Sequence, residues 1–182
     1  PKDLLEEKLV QIWQKLLCLK EVSTDDNFFE IGGHSILAAQ MFAELEKETG
    51  KKIPLATLFK HQTISEIADT IHSNEWRENW SPLVLIKEGN GKAPLFLIHG
   101  AEGNVLLYRD LASHLDNGQP VYGLQSRGLN GSDYAPDSIE EMAYEYIEAI
   151  KKVQPEGPYN LGGYCLGGTI ALEIAQQLLV KG

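Results

Sequence analysis

The sequence predicts two domains of different class, an all-α helical bundle followed by an α/β unit. Three observations carry this reading. Apolar residues recur at helical spacing up to about residue 73, short apolar runs alternate with longer amphipathic ones from Leu83 onward, and the polar stretch SNEWRENWSP lies between. The boundaries that follow are a first domain at 1–73, a linker at 74–82 and a second domain at 83–182. If fully extended, the ten residues of the polar stretch reach at most ~33 Å.

In the first domain Leu5, Leu9, Ile12, Trp13, Leu16 and Leu17 share one face of a helix from Leu4 to Leu19, with Glu6, Glu7, Lys8 and Lys15 opposite. A loop from Glu21 to His34 carries the turn-forming run Ser23 to Asn27, and Phe28 and Phe29 pin it to the core. A second helix runs from Ser35 to Thr49 and stops at Gly50, burying Leu37, Ala38, Met41, Phe42 and Leu45. After Pro54 comes a short turn, Leu55 to Phe59. The last helix spans Ile64 to Ile71, where Thr63 and Glu66 have the spacing of a capping box.

In the second domain the apolar runs Leu83 to Ile86, Leu95 to Ile98, Val121 to Leu124 and Tyr159 to Leu161 predict strands. The amphipathic segments Leu106 to Leu115 and Ile139 to Val153 predict crossover helices. A further helix covers Thr169 to Val180.

The chain has 182 residues, 43% of them hydrophobic, so either unit can bury an ordinary core. The formal charge of -10 is shared evenly: residues 1–75 hold 8 basic and 13 acidic side chains, and so does the remainder. Neither half has the basic patch that nucleic-acid binding needs. No apolar stretch approaches a membrane span and no signal-peptide layout opens the chain. Cys18 and Cys165 are too few for a disulfide framework. A cytoplasmic protein without membrane or metal is the expectation. The start inside a helical pattern, without an initiator Met, and the ending at Lys181-Gly182 predict a segment of a longer polypeptide.

Two glycine-bracketed positions carry the chemistry. Ser35, in DNFFEIGGHS, stands where a helix begins, so it reads either as a plain N-cap or as a hydroxyl held above a first turn that favours an attached anion. Cys165, in LGGYCLGG, stands two places from a glycine on each side, between a strand-like and a helix-like run. That is the layout of a nucleophile elbow, and the helix N-terminus beneath it favours the thiolate. A phosphate loop is excluded, because Gly168 is followed by Thr169 rather than Lys and no GxGxxG occurs. An inert, buried thiol is the other fate of a lone cysteine, and it is the one expected of Cys18. Upstream, Leu95 to Ile98 runs into HGAEG, where the Ala101 N–H can pair with the Leu166 N–H as an oxyanion hole. His99 reads as a structural residue orienting this loop, and His114 as remote from it.

Asp26, Phe28, Phe29, Glu30, Gly32, Gly33, His34 and Ser35 together resemble the phosphopantetheine attachment motif of peptidyl and acyl carrier proteins, over about Leu4 to Ser73. The resemblance implies a four-helix carrier bundle and 4'-phosphopantetheine esterified to Ser35 by a separate phosphopantetheinyl transferase. His34 is then a surface contact, while Ile36, just past the tether, reads either as a half-exposed docking point for partner enzymes or as a packed helix residue. PLFLIHGAEGNVLLYRDLASHL, VYGLQSRGL and YNLGGYCLGG, in order, resemble the type I thioesterase domain that closes nonribosomal peptide and polyketide synthetases. This implies the N-terminal half of an α/β-hydrolase fold, with Cys165 as nucleophile where the family usually has Ser.

Taken together, the resemblances imply release of an acyl or peptidyl thioester by hydrolysis or cyclisation, with upstream synthetase domains as partners. The family places its catalytic Asp and His after the nucleophile, and Leu166 to Gly182 contains neither. Asp110, Asp116, Asp133 and Asp137 precede Cys165 and read as loop or helix-end residues. The alternatives are a carrier or shuttle module joined to a catalytically incapable thioesterase fragment, or a missing half supplied by another chain. Half such a sheet would leave an open strand edge and bare apolar surface, which predicts aggregation or a partner.

Overall fold

The computed structural model describes residues 1–74, 76, 80–129, 136 and 138–181. Two compact units, Pro1–Trp80 and Ser81–Gly182, make up the chain. The aspartates Asp133 and Asp137 named above lie outside the described residues.

In the first unit α1 spans Leu4–Leu17, α2 Ser35–Thr49 and α3 Ile64–Ser73, with a 3₁₀ turn at Leu55–Phe59. Among the described residues the expected four-helix bundle is therefore three α-helices and one five-residue turn, since LATLF, confined between Pro54 and Lys60, completes little more than a turn. Asp3 caps α1, accepting from the N–H groups of Leu5 and Glu6 at 2.9 Å each. The helix stops two residues short of the expected Leu19, because Cys18 turns into the left-handed region at φ 56°. That conformation places Cys18 in solvent, which corrects its expected burial.

Glu6 is a second correction. Expected on the polar face, it is 1% exposed, and its carboxylate accepts the backbone N–H of Lys2. The capping box of α3 is present: Thr63 Oγ accepts from the Glu66 N–H at 3.2 Å, and the Glu66 carboxylate accepts from Thr63 N–H at 3.1 Å. Leu9, Trp13, Ala38, Met41, Leu45, Ile64 and Ile67 form the core of the unit, and the rings of Trp13 and Phe28 meet edge to face at 5.0 Å.

The second unit is a four-stranded mixed sheet: β1 Leu83–Lys87, β2 Leu95–Ile98, β3 Val121–Leu124 and β4 Asn160–Gly163. The spatial order is β1-β3-β2-β4, with β1 antiparallel to β3 and the other three parallel. Helices α4 (Tyr108–His114), α5 (Ile139–Lys151) and α6 (Leu166–Lys181) complete the unit among the described residues. Phe96, Ile98 and Leu124 of the sheet pack against Tyr146, Ile147 and Ile150 of α5 and Ile170 and Ile174 of α6.

Strand β4 extends past the expected Leu161 through Gly162 and Gly163, and α6 begins at Leu166, three residues before the expected Thr169. The glycines belong to the strand because they pair with Leu97 and Ile98 of β2, and the room there is small: a Cβ on Gly162 would meet the Leu97 side chain at 3.1 Å. Consequently only Tyr164 and Cys165 separate strand from helix. The neighbouring parallel strands β2 and β4 both end here, and their carboxyl ends are where open α/β sheets place ligands.

Candidate functional site

Ser35 is the first residue of α2, and the cap position belongs to His34, whose side chain makes no capping hydrogen bond. The plain N-cap reading of Ser35 is thereby excluded. Among the described residues the Ser35 hydroxyl has no hydrogen-bond partner, and the first turn of α2 carries no acidic residue. A free hydroxyl at the positive end of a fifteen-residue helix suits attachment of a phosphodiester.

The two glycines before it do different work. Gly32 takes φ +103° with open space around it, a conformation other residues rarely adopt. Gly33 is needed for room, because a Cβ there would stand 2.4 Å from the Phe28 carbonyl oxygen and 2.5 Å from its ring. The loop is held by links that the sequence pattern did not reveal. Asn27 donates to Gln62 Oε1 at 2.7 Å, the Phe28 N–H donates to the Gln62 carbonyl at 2.9 Å, and the Gly33 N–H donates to the Phe28 carbonyl at 2.8 Å. His34 is exposed, and Ile36, one residue past Ser35, is 67% exposed.

In the second unit Cys165 is exposed and sits at φ 55°, the left-handed region that a side chain occupies only under strain. The strain is imposed from both sides. A Cβ on Gly163 would fall 2.3 Å from the Gly167 carbonyl carbon, and one on Gly167 would fall 2.3 Å from the Ile98 carbonyl oxygen and 2.6 Å from that of His99. The start of α6 thus lies directly on the end of β2, and Cys165 is pushed out at the tip of the turn.

Next to it the His99 loop closes as a turn, the Gly103 N–H donating to the Gly100 carbonyl at 3.1 Å. It is tied to the end of β3 by the Ser126 N–H on the Gly103 carbonyl at 2.8 Å. Neither the Ala101 N–H nor the Leu166 N–H has a hydrogen-bond partner among the described residues.

His99 is 2% exposed, with Nδ1 2.5 Å from the Gly100 carbonyl oxygen and Nε2 2.8 Å from the Tyr146 hydroxyl. Only a donor can sit so close to a carbonyl, so the neutral ring carries its proton on Nδ1 and turns an accepting Nε2 to the Tyr146 hydroxyl, whose single proton is shared with the Gln125 carbonyl at 3.2 Å. Burial pushes the His99 pKa below its usual value, outweighing the Gly100 carbonyl and the charge of Glu102. With both nitrogens occupied inside the fold, His99 is a structural residue of this loop.

His114 ends α4, with Nδ1 on the Asp110 carbonyl at 2.8 Å. Asp110 is on the exposed side of α4, and Asp116 is in a loop paired with Lys92 at 3.2 Å. No side chain among the described residues hydrogen-bonds the Cys165 thiol. Tyr108 is the residue that the sequence pattern missed. Its buried hydroxyl donates to the Ile98 carbonyl at 2.6 Å and accepts from the Tyr164 N–H at 2.9 Å. Burial, the largest influence on it, raises its pKa.

Residues 7–71 match the phosphopantetheine attachment site family, and residues 93–182 match the thioesterase domain family. Similar proteins include malpibaldin synthetase of Mortierella alpina, 39% identical over the whole chain and 3% of that protein. The dimodular nonribosomal peptide synthase of Bacillus subtilis (strain 168) is 34% identical over the whole chain and 8% of that protein. The chain thus spans a small part of the length of these relatives. Among solved structures, holo-AB3403, a four-domain nonribosomal peptide synthetase bound to AMP and glycine, is similar over 100% of this chain and 14% of its own, with TM-score 0.60 and 38% identity. The NocB thioesterase domain, in covalent complex with a fluorophosphonate nocardicin G analog, is similar over 56% of this chain and 44% of its own, with TM-score 0.51 and 35% identity. In its first unit the chain belongs to the phosphopantetheine-bearing carrier family, and in its second to the thioesterase family, of the nonribosomal peptide synthetases.

Proposed function

We propose that the chain carries an acyl or peptidyl thioester on its first unit and releases it through an acyl-enzyme formed on Cys165 of its second. The first unit is read as a carrier bundle, its 3₁₀ turn serving as the short fourth helix. The second is read as the front half of an α/β-hydrolase. What supports attachment at Ser35 is the unpartnered hydroxyl at a helix start, with Gly32 and Gly33 keeping the approach free of side chains. When bound there by a phosphopantetheinyl transferase, 4'-phosphopantetheine supplies a terminal thiol for thioester chemistry. Ile36, exposed beside Ser35, is the proposed docking point for that transferase and for upstream synthetase domains.

Release rests on the elbow. Cys165, exposed on a strained turn, attacks the carbonyl of the acyl thioester substrate. The carbonyl oxygen becomes an oxyanion that takes up the unpartnered N–H groups of Ala101 and Leu166. Cys165 reacts as the thiolate, its proton having passed to solvent. Collapse breaks the substrate's C–S bond, expelling a thiolate that takes up a proton from solvent and leaving the acyl group on the Cys165 sulfur. One thioester replaces another, so the transfer is close to thermoneutral. Water or an internal nucleophile then completes release, by hydrolysis or cyclisation, and that step needs a general base.

A second reading, in which the chain only carries and shuttles, is favoured by the absence of any described side chain bonded to the Cys165 thiol. The experiment follows both residues by intact mass and peptide mapping. Coenzyme A plus a pantetheinyl transferase should add the arm to Ser35 and leave Ser35→Ala unchanged. With acyl-loaded coenzyme A, label should reach Cys165 with time. Label that stays on Ser35 alone after long incubation favours the carrier-only reading, and no mass change at all removes the function proposed here.

A further inference from the structure

Tyr108 has no part in the chemistry above, yet its hydroxyl joins the two chain segments that carry that chemistry. It is 4% exposed and opens α4. The two backbone groups it holds, the Ile98 carbonyl and the Tyr164 N–H, are a pair that the sheet would otherwise bring together. Ile98 and Gly163 are the last partners in the β2–β4 ladder. The N–H of the Ile98–His99 peptide points to β3, where it donates to the Leu124 carbonyl at 3.0 Å. In a trans peptide the C=O points the opposite way, so the Ile98 carbonyl faces β4. The next rung of a parallel ladder would deliver the N–H of Tyr164 to it. Instead both groups bond to Tyr108 Oη, at 2.6 Å and 2.9 Å.

We infer that Tyr108 is a positioning residue whose hydroxyl replaces the last rung between β2 and β4. It thereby splays apart the strand end that leads into the Cys165 elbow and the strand end that leads into the His99–Ala101 loop. The inference rests on the reading of Cys165 as nucleophile and of Ala101 as oxyanion donor. A direct N–H···O=C bond holds its two heavy atoms about 2.9 Å apart. An inserted hydroxyl, bonded to both, holds them further apart while leaving neither buried group unpaired. The same Ile98 oxygen is the atom that a Cβ on Gly167 would strike at 2.3 Å, so one carbonyl sets both the splay of the strands and the seat of α6. Burial keeps the phenol protonated and able to donate.

The test is Tyr108→Phe in the full chain, with iodoacetamide alkylation of Cys165 followed against pH and the exposed Cys18 as internal reference. Without the hydroxyl, the Ile98 carbonyl and the Tyr164 N–H are free to close on each other and draw the elbow toward β2. The Cys165 rate should fall about tenfold or more relative to Cys18, and its rate–pH profile should move to higher pH. The Tyr164 amide should stay protected from hydrogen exchange in both proteins, first by the hydroxyl and then by the direct rung. An unchanged Cys165 rate and pH profile in folded Tyr108→Phe overturns the inference. If the variant does not fold, the wild-type chain decides: a Tyr164 amide exchanging as fast as those of Ala101 and Leu166 overturns it, and a protected one supports it. Wild-type Cys165 reacting no faster than Cys18 would instead sink the nucleophile reading, leaving the exchange data to judge the rung.

Discussion

Gly163 and Gly167 face each other across the elbow so closely that a Cβ on the first would lie 2.3 Å from the carbonyl carbon and oxygen of the second. The obstacle is backbone, which cannot rotate away as a side-chain tip can. Gly163→Ala and Gly167→Ala should therefore each cost more than about 2 kcal/mol and slow Cys165 alkylation, both read from urea unfolding and thiol titration of the full chain. Gly168→Ala is the control. The nearest atom to a Cβ there is the Gly163 oxygen at 3.5 Å, an ordinary contact, so stability should change little.

Before Ser35 the paired glycines should separate in the same way, for different reasons. Gly32→Ala meets no atom but must hold φ +103°, a backbone penalty of roughly 1–2 kcal/mol. Gly33→Ala drives a methyl into the Phe28 carbonyl and ring, and Phe28 is fully buried against Trp13. Gly33→Ala should be the more destabilising of the two by urea unfolding. Gly32→Ala should still gain the mass of the arm from coenzyme A and a transferase. Equal losses from the two substitutions would contradict this division of labour.

These glycines mark what could and could not be read from the chain. Helix ends written in local chemistry, such as Gly50 after α2 or Thr63 and Glu66 at the start of α3, were legible because a cap involves residues within a few positions. The elbow was legible as a pattern, but its boundaries were not. Gly162 and Gly163 read as strand breakers by propensity, but pairing with Leu97 and Ile98 of β2 makes them strand residues, and the Leu97 side chain and the backbone of Gly167 leave no room for anything larger. Glu6 looked like a surface charge until the backbone N–H of Lys2 covered its carboxylate, and Cys18 looked like a core residue until α1 ended one position before it. Tyr108 and the Asn27–Gln62 clamp were invisible for one shared reason. Gln62 lies 35 positions from Asn27, and Ile98 and Tyr164 lie 10 and 56 positions from Tyr108, all beyond a helical or strand repeat, so periodicity carries no trace of the bonds.

The His99 imidazole gives the second unit a pH dependence of known sign. Its pKa lies below the usual 6.5 in the folded chain, chiefly through burial. Folding thus favours the neutral ring, and the unfolded chain takes up a proton first as pH falls. His99 contributes its full stability above about pH 6.5, and that contribution is lost progressively below it. The carboxylates with lowered pKa, Asp3, Glu48, Glu66 and Asp116, begin from 3.8 to 4.5 and lose theirs only at lower pH. Urea unfolding between pH 4.5 and 6.5 should therefore show stability falling with acid in the wild type. The slope should be markedly flatter in His99→Gln, and matching slopes would remove His99 as its source.

The left-handed backbone at Cys165 makes a prediction that runs against ordinary propensity. In helix and strand interiors glycine is worse than alanine by about 0.5–1 kcal/mol, because it loses more freedom on folding. At φ 55° the order should reverse, since a Cβ in this region crowds the following carbonyl and only glycine escapes the cost. Cys165→Gly should be more stable than Cys165→Ala by about 0.5–1 kcal/mol, with both variants losing the alkylation assigned to this position and keeping that of Cys18. The comparison removes the thiol from both sides, so it isolates the backbone. A glycine variant that matches or exceeds alanine shows that the turn is held strained by the crowding of Gly163, Gly167 and Ile98 rather than by any contact of the sulfur. Were alanine the more stable, the elbow would be relaxed at Cys165, and the exposure of its thiol would owe nothing to the crowded glycines on either side.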